Sequence, residues 1–294
     1  MNLEYCTLDV FTDRRFGGNP LAVVLDARGL DDATMQLITR EFNYSETTFV
    51  LPPANPAHTA HVRIFTPGGE LPFAGHPTVG TAFALATLGR LGADVRDIVF
   101  EEGVGPVPVR VERNAAGTAE RCTLTVAQAP ELVEAIDECS TAAAMLGLEN
   151  GAVTSAPEVW SCGVPFLVVP LADVSALACA RLDLECWRTL LDGRSTQKVY
   201  PVARLSDRTW RVRMFAPGLG VAEDPATGSA AAALAGWLAR HAGGNGHKQW
   251  QILQGEEIGR PSVIALDFEQ IDGVARRVRV GGRAVMVARG TLVL

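Results

Sequence analysis

For most of its length the chain alternates apolar and polar residues in short runs, the period-two signature of half-buried strands. Twice the alternation gives way to a long apolar block, "PTVGTAFALATLGRLG" from Pro77 and "ATGSAAAALAGWLARH" from Ala226. Both blocks suit helices, and neither has a polar stripe. A helix apolar around its whole circumference is buried on all sides. No run reaches the roughly 18 apolar residues that span a bilayer, so protein must surround each helix. The surroundings read as strands. In the first half they fall at Tyr5–Phe11, Leu21–Leu25, Thr47–Leu51, Ala60–Phe65, Asp97–Glu101, Val107–Glu112 and Cys122–Val126. In the second they fall at Val159–Val169, Val199–Arg204, Trp210–Phe215, Trp250–Leu253, Val263–Phe268, Ala275–Val280 and Ala284–Leu292. One amphipathic helix interrupts the early strands: "DDATMQLITREFN" has Asp31 or Asp32 as N-cap and buries Met35, Leu37, Ile38 and Phe42.

The two apolar blocks belong to a repeat. "RIFTPGGELPFAGHPTVGTAFALA" (63–86) and "RMFAPGLGVAEDPATGSAAAALAG" (213–236) share Arg-x-Phe-x-Pro-Gly at an offset of 150. After a two-residue contraction, His76-Pro77-x-x-Gly80-Thr81-Ala82 matches Asp224-Pro225-x-x-Gly228-Ser229-Ala230 at an offset of 148. Repeats are sought first because a missed one mis-assigns the whole fold. Each copy parses as a strand, a Pro-Gly turn, a loop and a helix starting near Pro77 or Pro225, proline being favoured in a first helical turn. The expectation is an α+β fold of two pseudo-symmetric domains, each a curved mixed sheet or barrel wrapped around a central apolar helix. The boundary is placed near "AQAPELVEA" (127–135), an acidic, helix-prone stretch, giving halves 1–128 and 129–294. The last strand, about 280–294, is a candidate to return to the first half.

Composition narrows the chemistry. With 294 residues, 48% hydrophobic and 20% charged, the chain is globular and long enough for two domains. A formal charge of -7 argues against a nucleic-acid partner, and the basic run "ARRVRVGGR" (275–283) alternates like one solvated strand face. The N-terminus lacks the basic-then-apolar layout of a signal peptide, so the expected location is cytoplasmic. Six cysteines without C-x-x-C pairs read as reduced, buried thiols.

Two buried helix N-termini are ready anion sites, offering N–H groups and partial positive charge. Gly75 and Gly228 allow close approach to the backbone there, and Thr78, Thr81, Thr227 and Ser229 add hydroxyls. If the halves are related by a pseudo-twofold axis, both tips face one cleft suited to a small carboxylate-bearing metabolite. His76 and Asp224 stand at matched positions, where a buried Asp224 would need a partner such as His76. Glu46, in "NYSETTFV" (43–50), precedes a strand entering the core. Partial burial would raise its pKa and suit it to moving a proton at neutral pH. The corresponding piece of the second half, "SCGVPFLVV" (161–169), has Gly163 or Val164 in that place, so there is one base on one side.

With these residues in hand, the sequence resembles the phenazine-biosynthesis isomerase (PhzF-like) family. The resemblance runs through "DVFTDRRFGGNPLAVV" (9–24), "NYSETTFV", "RIFTPGGELPFAGHPTVGTA" (63–82), "MFAPGLGVAEDPATGSA" (214–230) and "QGEEIGRPSVI" (254–264). It implies the diaminopimelate-epimerase fold and a homodimer, with no metal, nucleotide or redox cofactor. It further implies that Glu46 is the general acid/base, with His76 and Asp224 as catalytic partners. Asn19, Gly75, Thr78, Thr227, Gly228 and Ser229 form the implied substrate-binding set. The implied activity is proton migration on a small unsaturated or cyclic carboxylate, with helix N-termini and His76 as the charge sink. Racemases of this fold use one cysteine at each helix tip, and none of the six cysteines falls there. A racemase or epimerase, or an inactive binder of small anions, remains the alternative. A hydrolase lacks its G-x-S-x-G elbow and a P-loop lacks its Lys. His58 and His61, three apart on a strand, point to opposite faces and make a poor metal pair.

Overall fold

The computed structural model describes residues 1–294 and divides into two compact units, Met1–Thr125 with Gly281–Leu294, and Val126–Val280.

In the first unit the strands are β1 (Asn2–Val10), β2 (Asn19–Val24), β3 (Glu46–Leu51), β4 (Ala60–Thr66), β5 (Gly69–Leu71), β6 (Asp97–Glu102), β7 (Gly105–Arg113) and β8 (Ala119–Thr125). The chain's final strand, Ala284–Val293, pairs antiparallel with β1, Asn2 opposite Val293. β1 pairs antiparallel with β2, β2 parallel with β3, and β3 antiparallel with β4. β4 then runs parallel to β6, which forms antiparallel ladders onward to β7 and β8. Inside lies α2 (Gly75–Thr87), buried from Gly75 to Ala86. Its small side chains let the sheet come close: a Cβ on Gly80 would sit 2.6 Å from Leu21 Cδ2 and 2.7 Å from Val10 Cγ2. Outside, α1 (Asp32–Phe42) is capped by Asp31, whose carboxylate accepts from Thr34 N, and buries Met35 and Ile38 against Val24, Phe49 and Phe65. Leu37, expected in its buried stripe, is 64% exposed, because the face is set by Met35, Ile38 and Thr39.

The second unit repeats the strand–helix–parallel strand element. β13 (Thr209–Val212) leads through α6 (Gly228–His241) to β14 (Gly246–Gln254), parallel to β13, as β4 leads through α2 to β6. Around them lie β9 (Glu131–Ala135), β10 (Glu158–Ser161), β11 (Pro165–Pro170), β12 (Val199–Ser206), β15 (Ser262–Ile271) and β16 (Val274–Gly282). α6 approaches the sheet closely too: a Cβ on Gly236 would meet Trp160 Cε3 at 2.2 Å and Pro130 Cβ at 2.8 Å. A separate core forms where α3 (Cys139–Met145), α4 (Val174–Cys179) and α5 (Leu184–Leu191) bury Met145, Leu177, Trp187 and Leu190.

The repeated Arg-x-Phe has a physical reason in each unit. Arg63 grips Glu70 through two parallel bonds of 2.7 and 2.6 Å, and its guanidinium lies 5.1 Å from the Phe65 ring centre. Arg213 grips Glu223 at 2.9 and 2.7 Å and lies 4.9 Å from the Phe215 ring. A forked, charge-assisted pair of this kind fixes the loop that precedes each helix.

Two further expectations need correction, and one group of helices was missed. The stretch 127–135 is not helical: Glu131–Ala135 is a strand, because pairing with β10 overrides the local preference of an acidic segment. The single strand Val159–Val169 is two, β10 and β11, folded back on each other around Gly163, whose φ of 98° only glycine adopts easily. Helices α3, α4 and α5 were not foreseen, although Asp173 caps α4 through Ala176 N and Asp183 caps α5 through Glu185 N and Cys186 N.

Candidate active site

In the first unit the site grows from the start of α2. Ala74 is the N-cap, extended at φ −152° and ψ 138°, and no side chain caps the helix. Gly75 and His76 are its first two residues and Pro77 the third, where a missing N–H costs nothing. Opposite, α1 ends on Asn43 in the left-handed conformation (φ 51°), which turns the chain so that Glu46 opens β3. Ser45 Oγ donates to Asn19 Oδ1 at 3.0 Å, and the parallel register sets Glu46 beside Leu21. These contacts bring Asn19, Glu46 and His76 together from segments far apart in sequence.

His76 Nε2 lies 3.3 Å from Glu46 Oε2, with side chains 6% and 16% exposed. The carbonyl of Pro20 accepts a hydrogen bond from the imidazole. Proline has no backbone donor, so the ring nitrogen facing it carries the hydrogen. Nε2 makes no directed hydrogen bond, which assigns that hydrogen to Nδ1. Burial pushes the His76 pKa down to about 3, against the opposing pull of the Pro20 bond, so the ring is neutral at physiological pH. Nε2 is then a bare lone pair aimed at a carboxyl oxygen, an arrangement that calls for a shared proton.

In the second unit the tip of α6 is built differently. The helix begins at Gly228, with Thr227 as an N-cap that makes no side-chain cap bond. It does not begin near Pro225, as the repeat suggested. The reason is Gln254, at the end of β14: its Nε2 donates to the Asp224 carbonyl (2.8 Å) and to Thr227 Oγ1 (3.0 Å), and its Oε1 accepts from Thr227 N (3.1 Å). That side chain holds Asp224 to Thr227 as an extended loop. Gly228 is matched in sequence by Gly80, so α6 starts later in the repeat than α2. Asp224 is buried and accepts from Thr227 Oγ1 at 2.5 Å, while Ser229, the second helical residue, is partly exposed. Among the expected hydroxyls, Thr78 and Thr227 are buried and bonded within their own units.

Two residues escaped the sequence reading. Glu102 and Gln254 end β6 and β14, each followed by a glycine packed against the loop before the helix, Gly103 on Pro72 and Gly255 on the Pro225 carbonyl. The predicted strands stopped one residue short of both. The shared strand-Glx-Gly ending was the available signal.

No cysteine lies in the sequence of either helix tip. All six cysteines are free, and burial pushes Cys6, Cys122 and Cys162 up to about 12, where they stay protonated and poorly nucleophilic.

The comparisons with known proteins follow the same lines. Residues 8–290 match the family model described as phenazine biosynthesis-like protein. An uncharacterized isomerase of Mesorhizobium japonicum is 45% identical, over 98% of each chain. The trans-2,3-dihydro-3-hydroxyanthranilate isomerase of Pseudomonas chlororaphis is 37% identical, over 99% of each. In fold, a crystal structure of a PhzF-family protein from Bacillus anthracis superposes with a TM-score of 0.88 at 24% identity, covering all of both chains.

Proposed function

We propose, from the premise that the chain belongs to the phenazine biosynthesis-like family and is an isomerase, that it moves a proton on a small unsaturated or cyclic carboxylate with Glu46 as its single acid/base. The observation that carries this reading is the 3.3 Å contact of the Glu46 carboxyl with a buried, neutral imidazole. In the carboxylate form Glu46 takes a proton from carbon, and the electron pair left behind spreads into the conjugated system. In the acid form, after its hydrogen has exchanged with solvent, it delivers a proton to a second carbon on the same face, so no proton is gained or lost overall. His76 Nε2 accepts the carboxyl hydrogen between the two transfers and keeps the acid aimed. The uncapped N-terminus of α2 favours negative charge developing on the substrate. We assign Gly75 and Asn19 to binding, Thr227, Gly228 and Ser229 to holding an anionic group of the substrate, and Asp224 to the catalytic set with Glu46 and His76. The proposal includes no metal or redox cofactor, since the Glu46 carboxyl both removes a proton and delivers one. A homodimer and a cytoplasmic location belong to the same proposal and are checked by light scattering and by cell fractionation. No helix is long and apolar enough to cross a membrane.

The first probe is trans-2,3-dihydro-3-hydroxyanthranilate, the compound named in the Pseudomonas relative, followed by other unsaturated cyclic carboxylates. In deuterated water the product should carry label at the migrating position, and Glu46→Gln should abolish turnover while binding persists. Substantial activity in Glu46→Gln would remove the assignment. A racemase would instead scramble a single stereocentre without moving a double bond, and an inactive binder would bind the probe without any exchange.

A further inference from the structure

Glu101 and Glu102 are neighbours on β6 with opposite fates. Glu101 turns outward and accepts from Ala54 N (2.7 Å), Asn55 N (2.8 Å) and His58 Nδ1 (2.9 Å), bonds that hold its pKa down to about 2. Glu102 turns inward, is 6% exposed, and touches one polar group, the hydroxyl of Thr78 in α2, at 2.7 Å. Its Oε2 is buried without a hydrogen-bond partner.

The Thr78 hydroxyl decides the protonation state by counting. It has one hydrogen and two acceptors, Glu102 Oε1 at 2.7 Å and the Ala74 carbonyl at 2.8 Å. Were Glu102 ionised, one of these short contacts would set two lone pairs against each other in a buried site. If Oε1 carries a proton, the chain closes: Glu102 donates to Thr78, and Thr78 donates to Ala74. Oε2 is then the carbonyl oxygen of a neutral acid, for which a missing partner is tolerable; for a buried charge it would not be. The Ala74 carbonyl also accepts from Thr78 N, so this relay ends on the N-cap of α2, two residues from His76.

The other half of the molecule supplies an independent comparison. At the matching end of β14, Gln254 does with an amide what Glu102 does with a carboxyl: Nε2 donates to the threonine hydroxyl at the start of α6. A protonated glutamic acid is the nearest mimic of glutamine in size, charge and donor capacity. We propose that Glu102 is kept as a neutral carboxylic acid at the root of α2 and is the positioning residue that holds the His76 turn, in the role Gln254 fills for α6. The proposal uses the reading of Glu46 and His76 above only to call that turn functional.

No charged side chain counters the burial of Glu102, and the Thr78 contact alone opposes it. α2 carries His76 as its one titratable group, the residue paired with Glu102 on β7 is Gly105, and Arg110 of β7 is engaged by Asp97. Desolvation accordingly lifts the carboxyl from 4.5 to about 8. Raising the pH above that value places a negative charge in the relay and leaves Thr78 with one acceptor too many.

The test needs no substrate. Infrared difference spectra between wild type and Glu102→Gln at pH 6 should show a protonated-carboxyl stretch in the wild type alone, lost on titration with a midpoint near 8. In 15N-histidine-labelled protein, the His76 ring resonances, assigned through His76→Asn, should shift over the same range in the wild type and stay fixed in Glu102→Gln. Thr78→Val, which cuts the relay but leaves the acid, should retain the infrared band and shift the His76 resonances at every pH. Absence of the band overturns the neutral acid. A band that titrates while the His76 resonances stay still overturns the positioning role. If Glu102→Gln fails to fold, the wild-type titration read against Thr78→Val decides both points. Glu46→Gln activity bears on neither, so the two readings fail separately.

Discussion

The tips of α2 and α6 solve one problem in two ways. Each is the start of an apolar helix sunk into a sheet, each follows an Arg–Glu-clamped loop, and each lacks a side-chain cap. The α6 tip is tied by Gln254, which makes three bonds and cannot change charge between acid and alkaline pH. The α2 tip is tied by Glu102, which can. The α2 tip also faces Glu46 through a neutral imidazole, whereas the matching segment of the second unit is a glycine turn. The lesson is a division of labour within a duplicated element: the side chain that ties the root of one helix can change charge, and the one that ties the root of the other cannot.

That contrast can be broken in order of expected effect. Glu46→Gln should lower turnover by at least about 100-fold, the lower end for losing a general acid/base, and Asp224→Asn should lower it less. Steady-state kinetics on the same probe compare them, and the contrast fails if Asp224→Asn is the more damaging. Gln254→Leu leaves Thr227 N and the Asp224 carbonyl without their buried partner and should cost about 3 kcal/mol in urea unfolding. A loss under about 0.5 kcal/mol, the low end for one ordinary hydrogen bond, would show that the clamp is dispensable. Gly236→Ala should cost about 2 kcal/mol by overpacking against Trp160 and Pro130, more than Gly80→Ala, whose obstacles are the flexible ends of Leu21 and Val10. Equal thermal midpoints for the two variants would argue that both helices have room to shift.

The last contrast is a slope, which in the wild type is partly hidden. His76 has its pKa lowered from 6.5 to about 3, so between those values the unfolded chain binds the extra proton. Its stabilising contribution is complete above pH 6.5 and is lost as pH falls toward 3, by up to about 1.4 kcal/mol per pH unit. Glu102 runs the other way. Raised from 4.5 to about 8, it binds its proton more tightly in the fold, and its contribution is lost as pH rises through that window. The two slopes oppose each other between pH 4.5 and 6.5, so single variants expose what the wild type conceals. His76→Gln should flatten the acid side and Glu102→Gln the alkaline side of unfolding free energy against pH. Parallel curves for wild type and both variants would remove these assignments.

Much of this was legible in the residues. The apolar blocks read as enclosed helices because a helix without a polar stripe has no face to give to water, and both are buried nearly throughout. The repeat was visible because Arg63 and Arg213 need an aromatic ring two residues on and a glutamate in the next loop. Glu46 stood out by its place between a helix and a strand. Less legible were short helices such as α5, whose Asp183 cap is a single-residue signal, and β9, whose acidic sequence becomes a strand only because β10 lies beside it.

By itself, then, the sequence determined the duplicated strand–helix–strand plan, the burial of the two helices and the absence of cysteine from their tips. These follow from periodicity and residue type, which act locally. Only the tertiary structure decided where α6 begins, that the Pro20 carbonyl sets the tautomer of His76, and that Glu102 closes a proton relay with Thr78 while Glu101 faces solvent. Each depends on which group a buried donor or acceptor meets, and those partners lie between 24 and 56 residues apart in the chain. A buried polar atom must be satisfied by whatever the fold brings to it, and no local pattern specifies what that will be.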